Sequence, residues 1–308
     1  MDIINTIKKN RPKISESSIR TYNSILTNLY KKMNPSADIE TCNPTWFLEK
    51  QNEILSYLKD MNPKDRKLRL SALVVISDGD KTISNKYRSQ MLTDIQKYNV
   101  ELKEQKKSDK QEKAWISTDE IYKILENLKN QTSYITKKEP GSLNKKEFDE
   151  FQNYLILALY TYNPPRRLEY TEMKMNLGRA IEPTEAEGKY NFIKNKKFHF
   201  VTYKTSKNYG EQIVNINPKL YYIIRLWKKL NPDREWLLST FDGKKLTPSM
   251  LTQRLNKIFG KKISVNMLRH IFISENVLKD MPKVKELENV TEQMGTSLDT
   301  AINQYKKV

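Results

Sequence analysis

The sequence predicts a mainly α protein with a small antiparallel β-sheet, built as two domains. Three observations carry this. The chain has 308 residues, enough for two cores of ordinary size. Apolar residues recur at three- and four-residue spacing over most of its length, the period of a helix with one buried face. One stretch, 190–216, is instead dense in β-branched and aromatic residues and contains a turn at Asn208-Tyr209-Gly210.

The first domain is expected over residues 1–108. Ile19, Tyr22, Ile25, Leu26 and Leu29 follow a cap region at Ser15 and Ser17 and mark one helix, and Phe47, Ile54 and Leu58 mark a second. A third, around 67–76, sets Lys67 and Arg69 among Leu68, Leu70, Leu73 and Val74, and a fourth runs from near Ser84 to about Gln105. Four or five such helices with basic edges form a bundle that lays a positive face on a duplex, or simply a solvated bundle. Residues 109–114 lie in QKKSDKQEKA, which has no large apolar side chain and reads as a linker or a frayed helix end.

The second domain is expected over residues 115–308. Trp115 and Ile116 precede Ser117-Thr118-Asp119-Glu120, a Ser-x-x-Glu helix start. Strands are expected over 190–193, 197–205 and 211–216. Helices resume at Pro218 after Asn217 and at Pro248 after Thr247, the latter closing at Gly260, and Ser264 caps a helix that carries Arg269.

Charge narrows the partners. Lys and Arg number 55 against 37 Asp and Glu, a formal +18. Such a field favours polyanions, because neutralising phosphates releases condensed counterions. An AT-rich genome also inflates Lys and Asn usage with no nucleic acid involved. Cys42 is the single cysteine and His199 and His270 the two histidines, so a disulfide framework, a Cys-based zinc site and a His-rich metal site are not expected. No apolar run is long enough for a membrane span, and MDIINTIKKNRPK lacks the apolar core of a signal peptide. The expectation is a soluble intracellular protein that is not secreted and needs no cofactor.

Five boxes in the second half carry a resemblance. WISTDEIYKIL opens the domain. Arg166-Arg167-Leu168-Glu169-Tyr170 matches R-x-x-E-[L/Y], and Tyr203-Lys204-Thr205-Ser206-Lys207 supplies a hairpin lysine. Leu268-Arg269-His270 matches L-R-H. Met294-Gly295-Thr296-Ser297 matches L-G-H-S, with Tyr305 nine residues after the His position. In this order they resemble the catalytic domain of tyrosine recombinases, the integrases and resolvases that break and rejoin DNA without added energy. The upstream helices are similar in character to that family's core-binding, DNA-binding domain. The resemblance implies metal-independent chemistry on double-stranded DNA, by a homodimer on each site and a homotetramer in synapsis. The Lys-, Asn- and Ile-rich composition suits a virus or mobile element of an AT-rich lineage, acting at DNA in the host cell or its nucleus.

The chemistry explains the residue types. Transfer of a phosphodiester to an enzyme hydroxyl builds negative charge on the non-bridging oxygens. Two guanidiniums, from Arg166 and Arg269, clamp those oxygens and stay charged at any working pH. The resemblance makes Tyr305 the nucleophile, leaving a 3′-phosphotyrosine and a free 5′-hydroxyl. The leaving oxygen needs a proton, and the resemblance assigns that to the hairpin lysine, Lys204, with Lys207 as the alternative. Glu169, three residues after Arg166, is expected one helical turn away as a support for the site.

Two positions depart from the family pattern. Asn266 stands three residues before Arg269, where His or Lys is usual, and Thr296 stands where His or Trp is usual. Neither titrates near neutral pH, so the acceptor of the Tyr305 proton is left open between water, the substrate phosphate and His270. A helix turns His270 about 100° away from Arg269. Besides a recombinase, these residues suit a type IB topoisomerase-like nicking-closing enzyme, or a DNA-binding relative whose catalysis has decayed.

Overall fold

Short polar side chains set most of the helix starts. Ser15 caps α2 (Glu16–Met33) by accepting from the Ser18 amide, following α1 (Ile3–Asn10). Asn43 and Asn62, each followed by a first-turn proline, start α3 (Pro44–Glu49) and α5 (Pro63–Ile76), with α4 (Gln51–Leu58) between them. Asp80 caps α6 (Lys81–Lys103), accepting from the amides of Thr82 and Ile83. The computed structural model describes residues 2–175 and 190–305, and of Gln304 and Tyr305 the backbone only.

By internal contacts the chain divides into two units, Met1–Lys106 with Pro282–Val308, and Lys107–Met281. The sequence expectation ran the second domain through to 308. In the structure α14 (Val284–Gln293) groups instead with the first unit, where Lys103 pairs with Glu288 at 3.0 Å and Lys285 pairs with Glu104.

The first unit is helical, its core formed by side chains such as Ile7, Leu26, Phe47, Leu58, Leu70 and Tyr87. The helix expected across Phe47 and Leu58 is two helices, α3 and α4, broken at Lys50. The helix expected from near Ser84 begins three residues earlier, because Asp80 supplies the cap. Asp94 of α6 is fully buried against α5. It accepts from Arg66 Nε at 2.7 Å and Nη2 at 2.5 Å, a bidentate pair inside the bundle.

The second unit opens with α7 (Asp109–Ala114). The segment expected as a linker or a frayed helix end is a short helix, because Ser108 and Gln111 form a capping box at its start. Ser117 caps α8 (Thr118–Thr132), and Asn144 with Glu147 caps α9 (Lys145–Thr161). α9 is the central element: Phe148, Phe151, Leu155 and Leu159 are fully buried, and Phe151 stacks on Trp227 at 5.9 Å. Burying each such side chain stabilises by about 1.5–3 kcal/mol.

The sheet is mixed, which corrects the antiparallel expectation. Its strands are β1 (Met173–Lys174), β2 (Asn191–Lys194), β3 (Lys197–Phe200) and β4 (Gln212–Asn215), paired in that order, with β1 parallel to β2. Residues 175–190 separate β1 from β2, far more than a tight hairpin needs and enough for a parallel return. β2 and β3 meet in a two-residue turn at Asn195 and Lys196, with φ of 50° and 58°, the left-handed pair that a twisted hairpin requires.

The expected strand over 197–205 stops at Phe200. The expected turn at 208–210 is the short helix α10 (Ser206–Tyr209), ended by Gly210 at φ 66°. The remaining helices, α11 (Pro218–Leu230), α12 (Pro248–Phe259) and α13 (Val265–Phe272), take the caps read from the sequence at Asn217, Thr247 and Ser264, and Gly260 closes α12 in the left-handed region. Among the described residues no helix is long and apolar enough to cross a membrane.

Candidate functional site

Arg166, Glu169, Lys204 and Arg269 line one open cleft of about 380 Å³ in the second unit. Each arrives on a different local structure. Arg166 follows Pro164-Pro165, which cannot continue α9, so the segment leaves the helix in an irregular stretch. Glu169 was expected one turn along a shared helix. It instead begins a 3₁₀ turn (Glu169–Glu172), because the two prolines keep Arg166 outside any helix. Tyr160 Oη holds this segment by donating to the Arg167 carbonyl at 2.8 Å, and the Asn163 amide ties its start to Asn215 and Asn217.

Arg269 is set by the amphipathic pattern of α13. Val265, Met267, Leu268 and Ile271 are buried, which leaves Arg269 half-buried at the edge of the apolar face. Lys204 lies in the turn after β3 and is exposed. That turn is held by Asn191, a fully buried side chain of β2. Its Oδ1 accepts from the amides of Val201 and Thr202 at 2.9 and 2.8 Å, which takes them out of the ladder and ends the strand. Its Nδ2 donates to the carbonyls of Glu169 and Thr202, each at 3.1 Å.

The Arg166 guanidinium is the most constrained group of the site. Nη1 donates to Gln212 Oε1 at 2.8 Å, and the plane sits 4.3 Å from the Phe200 ring and 5.4 Å from that of Tyr203. Its Nε is buried without a partner, as are Glu169 Oε2 and Tyr170 Oη. Burial drives the Tyr170 phenol well above its usual range; Arg166 opposes this and Glu169 adds to it.

Among the described residues, Arg166, Lys204 and Arg269 form no ion pair with a carboxylate. With Arg167, four cationic residues thus border a single open cleft against the one carboxylate of Glu169, an arrangement that suits a phosphate group.

Three other sequence candidates of this unit do not line the cleft. Lys207 is exposed on α10, and Asn266 and His270 are exposed on α13. Thr296 and Tyr305 belong to the other unit. There the Thr296 amide donates to Thr291 O at 2.9 Å and the Tyr305 backbone ends a π-helical turn (Ala301–Tyr305). The Tyr305 side chain lies outside the described atoms.

Sequence reasoning missed Gln212, Tyr203 and Tyr209, which also line the cleft, and Asn191, which shapes it. Gln212 and Asn191 lie at strand ends, where nothing in the spacing marks a polar residue as part of a site. A polar residue at the head of the apolar run Phe192-Ile193 was the one available signal for Asn191. Compared with known proteins, the chain matches no protein-family model, no curated protein and no solved structure.

Proposed function

We propose that this chain is a DNA strand transferase of the tyrosine-recombinase type, an integrase or site-specific recombinase acting through a 3′-phosphotyrosine. The observation that supports the reading is the meeting of Arg166, Lys204 and Arg269 at one cleft, from positions as far apart in the chain as 166 and 269, with no carboxylate paired to any of them. In this reading the scissile phosphate sits in the cleft. Arg166 and Arg269 offset the charge that develops on its non-bridging oxygens. The Tyr305 oxygen forms the new bond to phosphorus as the bond to the 5′ oxygen breaks, and Lys204 gives that oxygen its proton. The Tyr305 proton passes to water or to the phosphate, since Asn266 and Thr296 do not titrate in the working range and His270 does not line the cleft. The reading requires Tyr305 to reach the cleft on DNA, from the same chain or from a second copy in a dimer or tetramer.

The test is covalent capture. The wild-type chain is incubated with a pool of random-sequence nicked duplexes, and DNA retained on denatured protein is sequenced while the linked peptide is identified by mass spectrometry. The expected peptide contains Tyr305, and Tyr305→Phe should bind DNA as before and capture none. DNA linked to another residue, or capture that persists in Y305F, would sink the assignment.

A further inference from the structure

We infer that Asn191 is a positioning residue that sets the place of Lys204 relative to the Arg166–Glu169 segment. The inference rests on the reading of Lys204 as the acid that protonates the leaving 5′ oxygen.

The observations are geometric. Lys204 is exposed, and among the described residues its side chain has no hydrogen bond or ion pair, so its position is inherited from its backbone. That backbone leaves β3 at Phe200 and is caught at once by Asn191, which takes the amides of Val201 and Thr202 and gives a hydrogen to the Thr202 carbonyl. The fourth bond of the same side chain goes to the carbonyl of Glu169, three residues from Arg166. One fully buried amide therefore joins the segment bearing the proposed acid to the segment bearing the first guanidinium.

The side-chain chemistry is selective. All four bonds use one planar amide with an acceptor and two donor hydrogens. Aspartate accepts but does not donate, and would turn a carboxylate toward two carbonyls. Serine is too short to reach both partners. A valine would pack among the other buried positions of β2, which are apolar, but would leave two backbone amides and two carbonyls without this partner. Proton transfer needs its donor within hydrogen-bond reach of the leaving oxygen. A shift of the loop by a fraction of its width would separate acid from clamp while leaving both residues present.

The experiment uses the full chain and a duplex recovered by covalent capture, made in two forms. One carries the ordinary phosphodiester, and the other carries sulfur in place of the 5′-bridging oxygen, whose thiolate departs without a proton. Asn191→Ala, and Asn191→Asp should N191A fail to fold, should lose about 10²-fold in cleavage of the ordinary duplex. On the sulfur duplex each should come within about threefold of wild type, as Lys204→Ala should, because the step that needs the acid is bypassed. An equal loss on both duplexes overturns the inference, as does no loss on the ordinary one. A capture step from which the wild-type chain recovers no duplex overturns the reading of the whole site. A Lys204→Ala defect that sulfur does not rescue overturns the acid assignment and with it the role of Asn191.

Discussion

Gln212 Oε1 accepts from Arg166 Nη1 at 2.8 Å, so the guanidinium is aimed by a neutral amide rather than by a carboxylate. A carboxylate would hold the same geometry but would compensate the charge that a phosphate is expected to meet. Gln212→Glu should therefore weaken DNA cleavage more than Gln212→Ala does, although only the glutamate preserves the acceptor. Single-turnover cleavage rates of the two variants decide it; a glutamate variant as active as wild type would show that the Arg166 charge is not used.

Replacing either clamp residue by alanine should lower the cleavage rate by at least about 10²-fold, the cost of removing one donor from a developing oxyanion. Arg166→Lys should restore little, because the ammonium lacks the planar fork that bonds Gln212 while lying against Phe200. Rates measured with saturating DNA separate this from weakened binding.

The Arg66–Asp94 pair predicts a stability effect remote from the cleft. Asp94→Ala leaves a buried guanidinium without its carboxylate and should cost about 3–5 kcal/mol. Replacing both partners with apolar residues, Arg66→Met with Asp94→Leu, should cost much less, since neither charge then has to be desolvated. Urea unfolding of the two variants beside wild type measures the difference.

Glu275 predicts a pH dependence. Burial pushes its carboxyl upward, but the Thr118 amide at 2.7 Å, the Trp115 indole at 2.8 Å and the nearby Lys107 together hold it below the usual carboxylate range. A carboxyl lowered in the folded state stabilises fully above its unfolded pKa, and the contribution is lost as pH falls through the folded value. Glu275→Ala should thus cost about 1.5–3 kcal/mol near neutral pH, the worth of hydrogen bonds to a charged group. The gap to wild type should close in acid. Unfolding midpoints across that range test it, and a gap that widens in acid would reverse the assignment.

The sequence by itself determined what depends on neighbours along the chain. The caps at Ser15, Ser117, Asn217, Thr247 and Ser264 and the closing Gly260 are local chemistry, and the structure uses each of them. Arg166, Lys204 and Arg269 could be singled out because their types and order are written in the chain. Tertiary structure alone decided what depends on distant partners. Asn191 ends β3 early by capturing two amides from ten and eleven residues away, and β1 returns parallel to β2. It also decided that Gln212 orients Arg166, and that α14 packs with the first unit. Spacing records the period of a helix or strand, whereas a hydrogen bond across the fold leaves no period to read.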